Sequence, residues 1–184
     1  IDPEHYGNAL APLSGVAVET VDGAHLRGVS VNNIVMQDVR APIFVRLANR
    51  GINPVKRDEK AQPGSLEDVA ISNITAYRAS CASSITGIPG HVVRNVTVTN
   101  LRVTSIGGGT AEMARRGLPE NESSYPEATG WGQMPCHGLF VRHVAGLLLR
   151  DIRFFTDKPD ARPALICHDV ADLRVDGLEL DKQI

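Results

Sequence analysis

One pattern recurs along this chain and restricts its fold more than any other feature. The stretches "VSVNNIVM" (29–36), "VAISNITA" (69–76), "VTVTNLRV" (96–103), "LLLRDIRF" (147–154) and "LRVDGLEL" (173–180) share one form. Each reads apolar-x-apolar-x-[N/D/G]-apolar-x-apolar or alanine. Their starts are separated by 40, 27, 51 and 26 residues. The short steps read as one repeat each, the long ones as a repeat plus an insertion. The insertions are "GINPVKRDEKAQPG" (51–64) and a stretch from 107 to 135, which leaves five units of about 25 residues. A second apolar segment precedes each repeat, at 15–23, 42–47, 83–87, 138–144 and 163–170.

Two strands per unit with no helix between them predict an all-β chain, specifically a right-handed parallel β-helix of about five coils. Successive coils would stack ~4.8 Å apart. The whole of 1–184 reads as one such domain, with 1–14 as an N-terminal cap or lead-in. A β-sandwich is the rival, but it calls for hairpin signals such as Asn-Gly, and these are sparse. Stacking places Asn33, Asn73, Asn100, Asp151 and Gly177 in one column at a bend, where Asn, Asp and Gly tolerate the backbone required. Adjacent asparagines there can pass amide hydrogen bonds up the stack. That column reads as a structural device, although Asn73, Asn95 and Asn121 each open an N-x-[ST] triplet.

Composition removes several function classes. A net charge of −2 and a pI near 6.3 carry no basic footprint, so nucleic acid is not an expected partner. No run approaches the ~18–20 apolar residues of a membrane helix. No basic-then-apolar leader opens the sequence. Its first residue is Ile1, as expected of a piece of something longer. Three widely spaced cysteines (Cys81, Cys136, Cys167) indicate neither a disulfide framework nor a zinc site. No metal or cofactor is expected.

Side chains of the first strand in each unit alternate in and out. Val18, Val45, Ile85, Val141 and Ile166 are expected inside. Glu19, Arg46, Thr86, Arg142 and Cys167 then form one outward column, and Ala17, Phe44, Ser84, Phe140 and Leu165 its neighbour. Arginines with aromatic rings on an open sheet face suit a sugar polymer bearing carboxylates. The rival reading pairs Glu19 with Arg46 and places the phenylalanines under the insertions. The long insertion contains "TAEMARRG" (110–117), a short helix capped by Thr110. After it come Glu120, Glu122, Tyr125, Glu127, Trp131 and His137, the makings of a cleft wall or of a loop anchored by Trp131. The candidate substrate-binding residues are therefore Glu19, Arg46, Arg142, Trp131, Tyr125, Glu127 and His137.

The stretch "GVAVETVDGAHLRGVSVNNIVMQDVRAPIFV" (15–45) resembles the region following the catalytic centre in glycoside hydrolase family 28, the polygalacturonases and rhamnogalacturonan hydrolases. Residues 83–100, 125–132 and 138–170 are similar to bacterial members of that family. The resemblance implies a right-handed parallel β-helix, inverting hydrolysis of pectic polysaccharide, and an extracellular or periplasmic location. It implies a polysaccharide or oligosaccharide partner.

The departures concern catalysis. The family's N-T-D and D-D motifs and its G-H-G are missing; "PGHV" (89–92) and "CHGL" (136–139) have other neighbours. The family's substrate-binding R-I-K falls on Ala17-Val18-Glu19, where both cations are gone. Inversion needs two carboxylates about 6.5–9.5 Å apart, and Glu19 is the one acid in the outward columns. The catalytic residues are thus unassigned. The expectation is the C-terminal part of a family 28-like hydrolase, inactive alone. The alternative is a non-catalytic module that binds polysaccharide or self-associates through an open N-terminal coil. A calcium-dependent lyase would need clustered acids that this chain lacks.

Overall fold

A computed structural model describes residues 11–53, 55–56 and 58–180. The elements are β1 (Ser14–Thr20), β2 (His25–Gln37), β3 (Ala41–Leu47), β4 (Ser65–Ala79), β5 (Ser83–Thr86), β6 (Val93–Ser105), α1 (Ala111–Ala114), β7 (Leu139–Thr156) and β8 (Leu165–Leu180). The chain is all-β, and every pairing between these strands is parallel. Strand order β1-β3-β5-β7-β6-β4-β2, with β8 along β7, gives a sheet nearly closed into a barrel-like form. Parallel pairing between strands removes the hairpins a sandwich requires.

The strands fall into two stacks. One runs β1, β3, β5, then the first halves of β7 and β8; the other runs β2, β4, β6, then their second halves. Each level of the two stacks is a tier. In the second stack Val29, Val69, Val96, Leu147 and Leu173 lie side by side, so the sequence repeat is the structural register. Insertion 51–64 and the turn at 87–92 separate the two strands of tiers two and three. In tiers four and five His143 (φ 54°) and Asp169 (φ 53°) make the bend within one continuous strand.

Single left-handed residues bend every tier at fixed places. Asn33, Asn73, Asn100, Asp151 and Gly177 all have φ between 49° and 80°. Asn73 Nδ2 donates to Asn33 Oδ1 at 3.0 Å, and Asn100 Nδ2 to Asn73 Oδ1 at 2.9 Å. Five residues earlier a second column, Gly28, Asp68, Asn95, Gly146 and Asp172, also has positive φ. There Asn95 Nδ2 donates to Asp68 Oδ1 at 3.0 Å. The corners explain the inward spacing of β4: Leu66, Val69, Ile71, Ile74 and Ala76, all buried, with steps of three and two. An unbroken strand would keep a step of two throughout. These residues and their counterparts above and below form one apolar core from Val16 to Ala164. At the start of β7 a Cβ on Gly138 would fall 2.5 Å from the Ala164 carbonyl oxygen, so this close approach requires glycine.

Three expectations need correction or placement. The first strand of the fifth unit is displaced by one residue: Val141 pairs with Cys167 and Arg142 with His168. Cys167, not Ile166, takes the inward position, and Ile166 packs outward against the cluster containing Phe140. The reason is the unbroken pairing of β7 with β8 from Leu139–Leu165 onward, which keeps Val144 on Val170. The expected helix at 110–117 is the single turn α1, its Thr110 hydroxyl accepting from Met113 N at 3.3 Å. The first ten residues of the expected 1–14 lead-in lie outside the described residues.

Asn73 combines the left-handed backbone with both ladder bonds. Asn73→Ala is expected to cost about 2 kcal/mol in denaturant unfolding. Asn73→Gly, which keeps the conformation and loses only the bonds, should cost about half of that. Equal costs for the two would remove the backbone part of this explanation.

Candidate functional site

The outward face of the first stack carries the arginines and rings that suggested a glycan surface. Across tiers one to five its columns are Glu19, Arg46, Thr86, Arg142, His168 and Ala17, Phe44, Ser84, Phe140, Ile166. Of the two readings of this face, the one with the phenylalanines under the insertion holds over the middle tiers, where the chain's own loop, residues 118–137, lies across it. Arg46 and Arg142 are each 3% exposed, and Phe44, Phe140 and Trp131 are buried with them.

The arginines hold the loop through its backbone. Arg46 Nη2 donates to the carbonyls of Glu120 (2.9 Å) and Asn121 (3.0 Å), and its Nη1 to Thr86 Oγ1 (3.1 Å) and the Gly87 carbonyl (3.2 Å). Arg142 donates to the carbonyls of Leu118 and Pro119, both at 2.9 Å. Trp131 Nε1 donates to that same Pro119 carbonyl at 3.0 Å, its ring edge-on to Phe44 and beneath the Arg46 guanidinium at 5.0 Å. Burial, and then the charge of Arg142, push Arg46 down to about 10, so it remains a cation at neutral pH. Burial also lowers Arg142, against the pull of Glu120. Five carbonyls and one hydroxyl therefore take the terminal nitrogens of two buried cations, while Arg142 Nε is buried without a partner among the described residues.

Glu120 adds a side-chain tie. Its Oε2 lies 3.2 Å from Arg142 Nη2 and 3.1 Å from His143 Nε2, and His143 Nδ1 meets Asp169 Oδ2 at 2.5 Å. The pairing of Glu19 with Arg46 does not form, because Arg46 turns toward the next tier and the loop.

The face stays open at its first tier. There Arg50, just past β3, is a hub: it pairs with Asp22, and its guanidinium lies 5.4 Å from the centre of the Tyr125 ring. Glu19 lies half-buried within the field of Arg50. Desolvation raises the Glu19 carboxyl above the usual carboxylate range, and Arg50 opposes this. Tyr125 is 69% exposed. With Phe44, Arg46, Glu127 and Trp131 it lines a shallow depression.

Of the residues expected to bind substrate, Glu19, Tyr125 and Glu127 stand at this open rim, and Arg46 and Trp131 form its floor. Arg142 lies two tiers further in than Arg46, beneath the loop. His137 is buried where the loop rejoins the sheet, its backbone N–H donating to the Pro163 carbonyl at 3.0 Å. Arg50 and Asp22 escaped the sequence reading because they lie in the turns flanking β1 and β3, outside the repeat. Among the described residues no group of three or more His, Cys, Asp or Glu side chains is placed to hold a metal ion. No protein-family model matches the chain, and no curated protein or solved structure does either.

Two outcomes are expected. Glu19→Gln should raise the melting temperature at pH 7. A raised carboxyl binds its proton more tightly in the folded state, so the ionised group costs stability as pH rises through its folded pKa. The gain should fade on acidification toward the ordinary carboxylate range; a gain that grew instead would reverse the sign. Trp131→Ala should accelerate hydrogen exchange at 118–127 while leaving β4 and β6 protected. Unchanged exchange in the loop would contradict its anchoring by the ring.

Proposed function

We propose that this chain is a five-coil right-handed parallel β-helix that follows the catalytic coils of a family 28-like glycoside hydrolase, its first-tier rim forming one wall of a glycan cleft. The β-helix is supported by parallel tiers in one register with left-handed corners stacked in columns. The cleft wall rests on one observation: the cluster of Arg50, Asp22, half-buried Glu19 and exposed Tyr125 at the first-tier end of a face covered over its middle tiers. A tyrosine ring offers a platform to the apolar face of a pyranose. Arg50 and Glu19 offer a donor fork and an acceptor to its substituents. Hydrolysis is not expected of this chain alone, because the N-T-D and D-D carboxylates are missing from its sequence. The setting that goes with this reading is extracellular or periplasmic.

The second reading is a non-catalytic module that binds polysaccharide or associates through an end tier. It is favoured by Leu173, Val175, Leu178 and Leu180 of β8, which are 39–45% exposed on the last described strand. Light scattering separates the readings: a stable oligomer supports the second and a monomer the first.

For the cleft wall, a hexameric oligogalacturonate and a neutral hexasaccharide should be titrated calorimetrically. Tyr125→Ala should weaken binding of whichever sugar is bound about tenfold with the melting temperature unchanged. Binding indifferent to Tyr125→Ala, or release of reducing ends by the unmodified chain, would overturn the proposal.

A further inference from the structure

A second surface lies on the other stack, beyond the Asn33–Asn73–Asn100 corner. It spans residues 34–37, 74–77, 101–104, 152–155 and 178–180, one short segment per tier. No loop described here covers it: Val35 is 75% and Tyr77 44% exposed, and Arg102 is also exposed. Val35, Thr75, Arg102, Arg153 and Glu179 form one outward column. Tyr77 in tier two and Phe155 in tier four lie along the next, beside Gln37 and Thr104 respectively. Outward positions of a solvated strand are ordinarily polar, so a tyrosine, a phenylalanine and a valine together call for explanation.

The charges on this strip are unequally used. Arg153 pairs with Glu179 at 3.0 Å, and Arg78 at the next corner pairs with Asp38 at 2.9 Å. Arg102 meets no carboxylate among the described residues. Its guanidinium lies 4.9 Å from the centre of the Phe155 ring. The strip is roughly 13 Å wide and 19 Å long, about 250 Å². A stable protein interface takes about 800 Å² from each partner, so the area is too small for a globular partner or a second copy. A linear polymer lying along the stack needs no such area. Its sugar units would meet a new row of side chains every ~4.8 Å.

We propose that this strip binds a linear acidic polysaccharide, with a uronate carboxylate on Arg102 and sugar faces on Tyr77 and the Phe155 edge. The strip and the first-tier rim share no residue, so each stands or falls without the other. The carboxylate would take a bidentate pair from the Arg102 fork, an interaction left unmade among the described residues. The aromatic positions, two tiers apart, would carry successive parts of the same polymer.

The test is a titration of the isotopically labelled chain with hexameric oligogalacturonate, followed by amide chemical shifts, and with its methyl ester. Shifts are expected at residues 75–77, 102–104 and 153–155. Arg102→Ala should weaken them about tenfold, Tyr77→Ala should weaken them also, and the methyl ester should bind as poorly as the acid does to Arg102→Ala. Tyr125→Ala should leave them unchanged. Shifts confined to the Tyr125 rim, or none at all, would overturn the strip as a site, the former leaving the rim reading intact. Strip shifts indifferent to Arg102→Ala would overturn it as well, as would a dimer that Tyr77→Ala dissociates.

Discussion

The structure depends on a backbone constraint: each tier must turn at the same residue as the tiers beside it. A left-handed residue bends a strand sharply in one step, but it disfavours any side chain except those of Gly, Asn and Asp. Once such a corner is fixed, the residue after it and the one two before it must be inward and apolar for the strands to remain in register, as Ile74 and Ile71 are around Asn73. Columns of corners thus convert a local preference into a long-range one. The ladder bonds from Asn100 to Asn73 and from Asn73 to Asn33 carry that preference from tier to tier. A slip of one residue would place an asparagine where the core needs isoleucine and would strand a β-branched residue at a left-handed corner.

The faces follow from the corners. Between corners only two or three residues per tier point outward, so each outer surface is a narrow strip parallel to the stack. One strip carries two arginines and the rings of Phe44 and Phe140, and the insertion at 107–135 closes over its middle with Trp131. The arginines that resemble ligand-binding groups in the sequence are occupied by loop carbonyls, with their charges intact. What remains open is the end of that strip, where Arg50 gathers Asp22, Glu19 and Tyr125. Burial of Arg46 and Arg142 fixes the loop, and the loop in turn places Tyr125 at the rim.

Much of the fold was legible because its determinants are local and repeated. The five starts at 29, 69, 96, 147 and 173 are paired neighbours in space, and the Asn33 column is a column in the structure. The earlier corner at Gly28, Asp68, Asn95, Gly146 and Asp172 was equally present in the sequence, five residues upstream of the first. It went unread because glycine and aspartate there resemble ordinary turn residues. The fifth unit was misaligned because "PALICHDV" offers isoleucine and cysteine side by side, and the continuous pairing with β7 decides between them. Coverage of the outer face was the least legible feature. Any residue supplies a carbonyl, so no side-chain pattern marks Leu118, Pro119, Glu120 and Asn121 as the groups that Arg46 and Arg142 will take.

The most direct measurement of the central claim is a map of backbone contacts between tiers by nuclear Overhauser effects in the labelled chain. The account requires parallel-strand contacts linking 29 to 69, 69 to 96, 96 to 147 and 147 to 173, with Asn33, Asn73, Asn100 and Asp151 in left-handed backbone geometry. Contacts displaced by one residue between any two tiers, or antiparallel contacts between these segments, would contradict it.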